Sequence, residues 1–228
     1  GEGVILYTRF KATWTDLGDV PVVGDSNGSF VQLAPNPTAT ANWEAGVGTV
    51  TNGVPFGFHR LKVANTSAAE FPLNTTDLAL ETAYDVVVRY DVDTAVSTLW
   101  VNATDETDPS VNTAGDGEVP DDVSYINLRQ DLDMGNIYLD DLKVMVVRKP
   151  RLTQITPPAG GSLDIFFDGG AGATTADFTV EGAATVNGPY APVSASLTDL
   201  GGGAFKGTIT GASGPEGYYR VKRNPVQF

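Results

Sequence analysis

The sequence predicts an all-β protein built from two antiparallel sandwiches, and three observations lead to that prediction. Apolar and polar residues alternate with a period of two in most segments, and no segment of a dozen residues shows the 3.6-residue period of an amphipathic helix. Gly (26 residues) and Pro (14 residues) are plentiful and separate these segments at short intervals. Short strands at regular spacing are typical of sandwiches and barrels rather than of βαβ units.

The first predicted strand is VILYTRFKATWTDL, in which the odd positions from Ile5 to Thr13 oppose the even positions from Leu6 to Trp14. Residues 84–90 and 96–102 are predicted to pair as a hairpin around DVDTA. The other strands predicted before residue 150 are GSFVQLAP, VPFGFHRLKVAN, VSYINLRQD and GNIYLDDLKVMVVRK, each bounded by Gly, Pro, Asn or Asp.

The segment VRKPRLTQITPPAGGS, residues 147–162, predicts a domain boundary. Its prolines cannot donate to a sheet, and the charge density falls after it. We therefore expect a first domain over residues 1–149 and a second over residues 150–228. The second has room for six or seven short strands, the size of a small immunoglobulin-like or fibronectin-like sandwich. Its last strand, GYYRVKR, alternates as a half-buried strand does.

Composition excludes several classes of partner. The formal net charge is −14, and residues 1–149 carry 22 acidic against 9 basic side chains. Such a surface repels phosphate, so nucleic acid and anionic membranes are not expected partners. No apolar run reaches the roughly 18–20 residues of a membrane-spanning helix. The absence of cysteine excludes disulfides, zinc–thiolate sites and a thiol nucleophile.

Four segments of the first domain together resemble the concanavalin A-like lectin/glucanase jelly roll, in its laminin-G-like version from large secreted bacterial proteins. They are FGFHRLKVANTS, TAYDVVVRYDVDTAVSTLWVN, INLRQ and MGNIYLDDLKV, and the resemblance covers about residues 4–147. The ending FKGTITGASGPEGYYRVKR resembles the small C-terminal sandwich often appended to such proteins. The resemblance implies an extracellular or cell-surface location and an antiparallel jelly roll followed by an immunoglobulin-like sandwich.

One departure from this family concerns the first strand. In the family, the segment that VILYTRFKATWT resembles follows residues that supply further strands, whereas here it starts near residue 1. We therefore expect a jelly roll without its first strands and an open sheet edge. Open edges recruit other chains. The residues predicted to form this assembly edge are Val4, Leu6, Tyr7 and Phe10, and the expected partners are other copies of the chain or a neighbouring surface protein.

Catalysis is not expected. The glucanases of this fold place their acids in a Glu-x-Asp-x-x-Glu strand, and the sequence contains no such strand. His59, the only histidine, lies in a predicted strand, and no G-x-S-x-G motif accompanies it. We expect His59 at the surface of a sheet or at the edge of the core. A glucanase-like hydrolase would need a pair of acids that only the fold could bring together.

A calcium site is the second hypothesis. Nine acidic residues and no Lys or Arg lie between Tyr90 and Leu128. Calcium takes about six to eight oxygen ligands, which carboxylates and loop carbonyls supply. The candidate ligands are Asp105, Glu106, Asp108 and Asp116. The spacing fits no EF-hand loop, and a solvated rim without a metal is the alternative interpretation.

Sugar binding is the third hypothesis, because lectin surfaces stack exposed aromatic rings on pyranose C–H groups. The candidate contacts are Trp43, Trp100 and Asn102. Strand alternation places Trp100 with Thr98 and Asn102, opposite Leu99 and Val101. The sequence therefore does not determine whether Trp100 faces the core or the outside of the sheet.

The sequence therefore favours a non-catalytic extracellular structural or adhesive protein, a cell-surface or fibre-forming subunit that assembles through an incomplete sheet edge. The alternative is a carbohydrate-binding module of a larger secreted protein that processes polysaccharide. Calcium is the only cofactor that either interpretation suggests.

Overall fold

The computed structural model is all-β, as predicted, and forms two compact units. It describes residues 3–17, 29–37, 43–51, 53–65, 71–114, 119–129, 135–156, 160–211 and 217–228. Unit 1 comprises Gly1–Val146 together with Gln227 and Phe228, and unit 2 comprises Val147–Val226. The division falls three residues before the boundary predicted after residue 149.

The described residues of unit 1 contain two five-stranded sheets. The first has the strand order β10-β1-β6-β7-β8 and the second the order β5-β4-β3-β2-β9. The strands are β1 (Val4–Asp16), β2 (Ser29–Ala34), β3 (Ala45–Val50), β4 (Phe58–Ala64), β5 (Leu78–Ala79), β6 (Ala83–Asp91), β7 (Val96–Val101), β8 (Val111–Asn112), β9 (Tyr125–Leu128) and β10 (Asn136–Arg148).

The predicted hairpin around DVDTA is confirmed. Strands β6 and β7 pair antiparallel, with Val86 opposite Val101 and Asp91 opposite Val96. Strand β1 pairs antiparallel with the other side of β6. The hairpin therefore lies in the middle of the first sheet.

The core of unit 1 lies between its two sheets, and this arrangement is a β-sandwich. Phe10, Ala12 and Trp14 project into it from β1, as the predicted alternation requires, and they pack with side chains from the second sheet such as Phe30 and Leu61. Edge-to-face ring contacts join Phe30 to Phe10 and Trp14. Burial of this alternating apolar face is what holds the two sheets together.

The assembly edge predicted at Val4, Leu6, Tyr7 and Phe10 is wrong in its location. These residues lie on β1, which has β10 on one side and β6 on the other. The last strand of unit 1 returns along the chain's first strand and covers the edge that the sequence left open. Among the described residues, the outer strands of this sheet are β10 and the two-residue β8, and we call the open side of β10 its free edge.

Unit 2 is a smaller antiparallel sandwich of a four-stranded sheet, β11-β12-β16-β15, and a three-stranded sheet, β14-β13-β17. Its core contains Ile165, Val180 and Ile209 beside a cluster of Phe167, Phe178 and Phe205. The strands are β11 (Arg151–Ile155), β12 (Ser162–Asp168), β13 (Phe178–Ala183), β14 (Ala191–Pro192), β15 (Ala195–Gly201), β16 (Ala204–Thr210) and β17 (Tyr218–Arg223), with one 3₁₀ turn at Thr175–Asp177.

Candidate functional site

The acidic loop after β7 uses its carboxylates to hold its own backbone. The Asp108 carboxylate accepts hydrogen bonds from the Thr104 backbone N–H (2.6 Å) and hydroxyl (3.0 Å). The Asp105 carboxylate accepts them from the backbone N–H (2.7 Å) and hydroxyl (2.6 Å) of Thr107. Asp and Thr side chains favour such local turns, so the sequence NATDETDPS folds on itself.

These hydrogen bonds also set the protonation of the loop. The hydrogen bonds from Thr107 lower the pKa of Asp105 below its ordinary value. The hydrogen bonds from Thr104 lower the pKa of Asp108 in the same way. Donors that favour the charged carboxylate make it harder to protonate. Both side chains are therefore ionised at neutral pH.

Glu106 reaches back from the loop to the outer face of the first sheet. The Tyr7 hydroxyl donates a hydrogen bond to its Oε1, and the Arg89 Nε lies 3.7 Å from the same oxygen. Arg89 also donates a 3.2 Å hydrogen bond to Asp91. Tyr7 and Arg89 are cross-strand partners on β1 and β6, so strand pairing brings both groups under the loop.

The loop does not assemble a calcium site from the predicted ligands. Oxygens of Asp105, Glu106 and Asp108 are engaged by Thr and Tyr donors of the protein. Within the described residues, no three His, Cys, Asp or Glu side chains are close enough to hold a metal ion. Asp116, the fourth predicted ligand, lies outside the described residues. The described carboxylates therefore do not converge as calcium requires, with its roughly six to eight oxygens, and the calcium hypothesis that includes Asp116 stays a prediction.

Trp100 lies on the outer face of the first sheet, but only 2% of its surface is exposed. It is opposite Val87 on β6, and its indole N–H donates a 3.2 Å hydrogen bond to the Asp108 carbonyl. The Phe228 ring packs edge-on against it, at 5.3 Å between centroids. We call Tyr7, Val87, Arg89, Trp100, Glu106 and Phe228 the outer-face cluster.

The last two residues of the sequence complete this cluster. The Phe228 backbone N–H donates to the Thr104 carbonyl (2.7 Å), and Gln227 bridges to Asp105. The Phe228 ring also lies 6.1 Å from the Tyr7 ring. Tyr7 is 1% exposed as a result, although it is on the opposite face of β1 from the core. The outer face of this sheet thus carries a second, small layer of buried side chains.

Trp43 is also covered by protein, and 7% of its surface is exposed. It packs with Ala34, Ala64 and Phe71. A Cβ added at Gly46 would lie 2.7 Å from the Trp43 ring, so the absence of a side chain there lets the indole lie flat on β3. Neither predicted tryptophan presents an open ring face to a sugar.

Asn102 stabilises the start of the loop by hydrogen bonds to the backbone of Asp85. It adopts a left-handed backbone (φ 54°), and its side-chain oxygen accepts a 3.0 Å hydrogen bond from the Asp85 backbone N–H. Its own backbone N–H donates to the Asp85 carbonyl (2.7 Å). Asn tolerates this conformation better than most residues. The sugar-binding hypothesis for Asn102 would require this side chain to exchange partners.

His59 lies inside the core rather than at the sheet surface or core edge predicted for it. It is fully buried, and its ring centroid is 4.3 Å from that of Trp14. Neither ring nitrogen has a hydrogen-bond partner among the described residues. Burial lowers its pKa from 6.5 to about 4, so the imidazole is neutral at physiological pH.

The free edge of the first sheet is the feature that sequence reasoning missed. Strand β10 has thirteen residues and is the longest edge strand among those described. Four of its large apolar side chains are exposed: Tyr138 (68%), Leu142 (45%), Val144 (50%) and Val146 (58%). The alternation of LKVMVVR predicts a strand, but only the sheet order shows that no described strand pairs with one of its sides.

The β10 edge is irregular at one point. Asp141 has a left-handed backbone (φ 53°), and its carboxylate accepts a 3.0 Å hydrogen bond from the Lys11 ammonium on β1. A left-handed residue inside a strand bends it locally. The stretch from Leu142 to Arg148 beyond it is continuous strand.

Comparison of the chain with models of protein families, with curated proteins and with solved structures found no match. The likeness to a concanavalin A-like module thus stays a prediction of the sequence. In the parts of the chain that the structure describes, no helix has the length and apolar character needed to cross a membrane.

Proposed function

We propose that the protein is a non-catalytic structural or adhesive subunit of the cell exterior, which assembles through the free β10 edge of unit 1. The observation that carries the proposal is the length of this edge together with its exposed apolar side chains. A long edge with exposed apolar side chains is a template for pairing with another chain. Strand β10 keeps such side chains on both sides of its bend at Asp141 and beside the exposed Lys143. The extracellular location rests on the resemblance described above.

The other edges of unit 1 are less suited to pairing. Strands β5 and β8 have two residues each, and β9 has four. A short strand offers few backbone groups to a partner. Strand β10 is thus the edge on which added pairing would gain the most hydrogen bonds and buried apolar surface.

The net charge opposes association at long range. We therefore expect association to need salt or high local concentration, both of which a cell surface or fibre provides.

The proposal is tested by sedimentation velocity of the full chain across a range of concentrations. We expect concentration-dependent association that Val144→Lys abolishes, because a charge would be placed in the middle of the paired edge. Val186→Lys is the matched control, since Val186 is 62% exposed and belongs to unit 2 rather than to β10. A wild-type chain that stays monomeric up to about 1 mM, where binding of about −4 kcal/mol would show, contradicts the proposal.

A further inference from the structure

The charges along β10 are arranged so that its two ends differ in sign. Asp140 and Asp141 lie on one side of its apolar stretch, and Arg148 lies at its other end. Between them are Leu142, Lys143, Val144 and Val146, and all seven of these residues are exposed. The edge thus runs from an acidic end, through a mostly apolar stretch that contains Lys143, to a basic end.

This order matters for the direction in which a partner strand can pair. If two copies of β10 pair antiparallel about Val144, the acidic end of each copy lies beside the basic end of the other, and Leu142 lies opposite Val146. If they pair parallel and in register, Asp140 lies beside Asp140 and Arg148 beside Arg148. Opposite charges across paired strands are favourable and like charges are unfavourable.

We infer that the partner of the β10 edge is a second copy of the chain, paired antiparallel about a two-fold axis near Val144. The inference rests on the proposed function and names its partner and geometry. The apolar residues of each copy are then covered by those of the other, and both charged ends are matched at once. A strand from a different protein would need its own complementary order of charges, whereas β10 already carries the order that fits itself.

The bend at Asp141 limits the extent of the pairing. Its left-handed backbone precedes Leu142, and beyond Val146 the Arg148 carbonyl accepts a 3.2 Å hydrogen bond from Arg223. Regular backbone pairing about Val144 therefore spans residues 142–146, and Asp140 and Arg148 meet a partner only through their side chains at the two ends of that segment. Pro150 follows and cannot donate to a sheet. A short segment closed at both ends favours one register over many.

Two-fold pairing has a consequence for assembly. The same patch serves both partners, so the interface is isologous and closes after two copies. This edge alone therefore forms a dimer, and growth beyond the dimer requires a second surface.

The test is a pair of single charge reversals, Asp140→Lys and Arg148→Glu, studied separately and mixed. In each variant positions 140 and 148 carry charges of the same sign, and self-association should weaken about tenfold, because two like-charged contacts replace two opposite ones. The equimolar mixture should associate at the wild-type level or better, since positions 140 and 148 of the two variants again carry opposite charges at both ends of the pair. Asp199→Lys is the matched control: Asp199 is exposed, and like Asp140 its carboxylate accepts a 2.8 Å hydrogen bond from a nearby backbone N–H.

A second measurement reports the geometry directly. The chain has no cysteine, so Val144→Cys introduces a single thiol. Residues directly opposite in an antiparallel pair have Cα atoms about 4.5–5.5 Å apart, within the range of a disulfide. Oxidation should give a disulfide-linked dimer of Val144→Cys and none of Val186→Cys.

The outcomes separate this inference from the proposed function. A wild-type chain that does not associate at all overturns both. If the wild type associates and Val144→Lys stops it, but mixing the charge variants restores nothing and Val144→Cys gives no linked dimer, assembly through β10 stands and the antiparallel self-pairing is wrong. Circular dichroism of each variant establishes that it is folded before it is compared.

Discussion

Two buried tryptophans of unit 1 differ in how the fold treats their indole N–H. Trp100 lies in the outer-face cluster and donates its N–H to the Asp108 carbonyl. Trp14 lies in the core, and its N–H has no hydrogen-bond partner among the described residues. Its neighbour His59 likewise has no hydrogen-bond partner for either ring nitrogen among the described residues.

The difference shows what the acidic loop does for the protein. A buried polar group without a partner costs free energy, and a partner removes most of that cost. The loop supplies the carbonyl for Trp100 and the Glu106 carboxylate for Tyr7, and so lets amphipathic rings pack on the outer face of the sheet. The core contact between Trp14 and His59 depends on packing alone. Because no hydrogen bond holds the His59 ring there, this contact is more sensitive to protonation than the outer-face cluster is.

The largest effect is expected from Trp100→Ala. Removing a fully buried large aromatic side chain costs about 3–5 kcal/mol. The loop would also lose the indole that anchors Asp108, so the loop's own hydrogen bonds should loosen. A urea titration followed by circular dichroism measures the loss. A change below about 1 kcal/mol would mean that the outer-face cluster is not a packed part of the fold.

The second-largest effect is expected from acidification, which should lower the free energy of unfolding through the Trp14–His59 contact. Because the pKa of His59 is lowered from 6.5 to about 4, the unfolded state binds a proton below pH 6.5 while the folded state does not until about pH 4. Stability therefore falls as the pH drops through this window, by up to about 3 kcal/mol. Unfolding free energies measured at several pH values should show the slope in the wild type.

His59→Phe is the control for that slope. It keeps a ring against Trp14 and removes both unpartnered nitrogens, so the pH dependence between 6.5 and 4 should flatten. An unchanged slope in this variant would assign the effect to other groups. Asp105 and Asp108 lose their stabilising charge only at lower pH, because their pKa values lie below the ordinary Asp value.

A smaller effect is expected when only the indole N–H of each tryptophan is removed and a ring is kept. Trp100→Phe and Trp14→Phe remove nearly the same volume, but only the first breaks a hydrogen bond. We expect Trp100→Phe to destabilise unit 1 more than Trp14→Phe, by about 1–2 kcal/mol, since the second also removes an unpartnered donor. Equal losses of unfolding free energy in the two variants would show that the hydrogen bond to Asp108 contributes nothing.

The smallest effect is expected from calcium. The carboxylates of the loop are already engaged by Thr104, Thr107 and Tyr7, so chelator and added calcium should leave the thermal midpoint unchanged. A thermal midpoint that rises with calcium and falls with chelator would support calcium binding by the loop. Magnesium at the same ionic strength is the control for general screening.

Much of the fold could be predicted from alternation alone. The period of two in β1 places Phe10, Ala12 and Trp14 on one face, which is the core face, and the run around DVDTA identifies the hairpin. These are local properties of the chain. The burial of Trp100 is not a local property, because Phe228 packs on it from a distant part of the sequence.

The free edge could not be predicted for a related reason. Alternation shows that a segment is a strand but not which strand lies beside it. The return of β10 to the side of β1 moves the open edge from the first strand of unit 1 to its last. Which residues can meet a partner therefore depends on sheet order, which a single sequence leaves undetermined.

The positions of the three tryptophans have a spectroscopic consequence. Trp14, Trp43 and Trp100 all lie in unit 1 and are all buried, whereas unit 2 contains tyrosines but no tryptophan. Selectively excited indole fluorescence therefore reports unit 1 alone, and its emission should shift to longer wavelength only when that unit opens to water. A loss of strand signal without this shift belongs to unit 2. The chain thus carries a built-in label that tells the unfolding of one sandwich from that of the other.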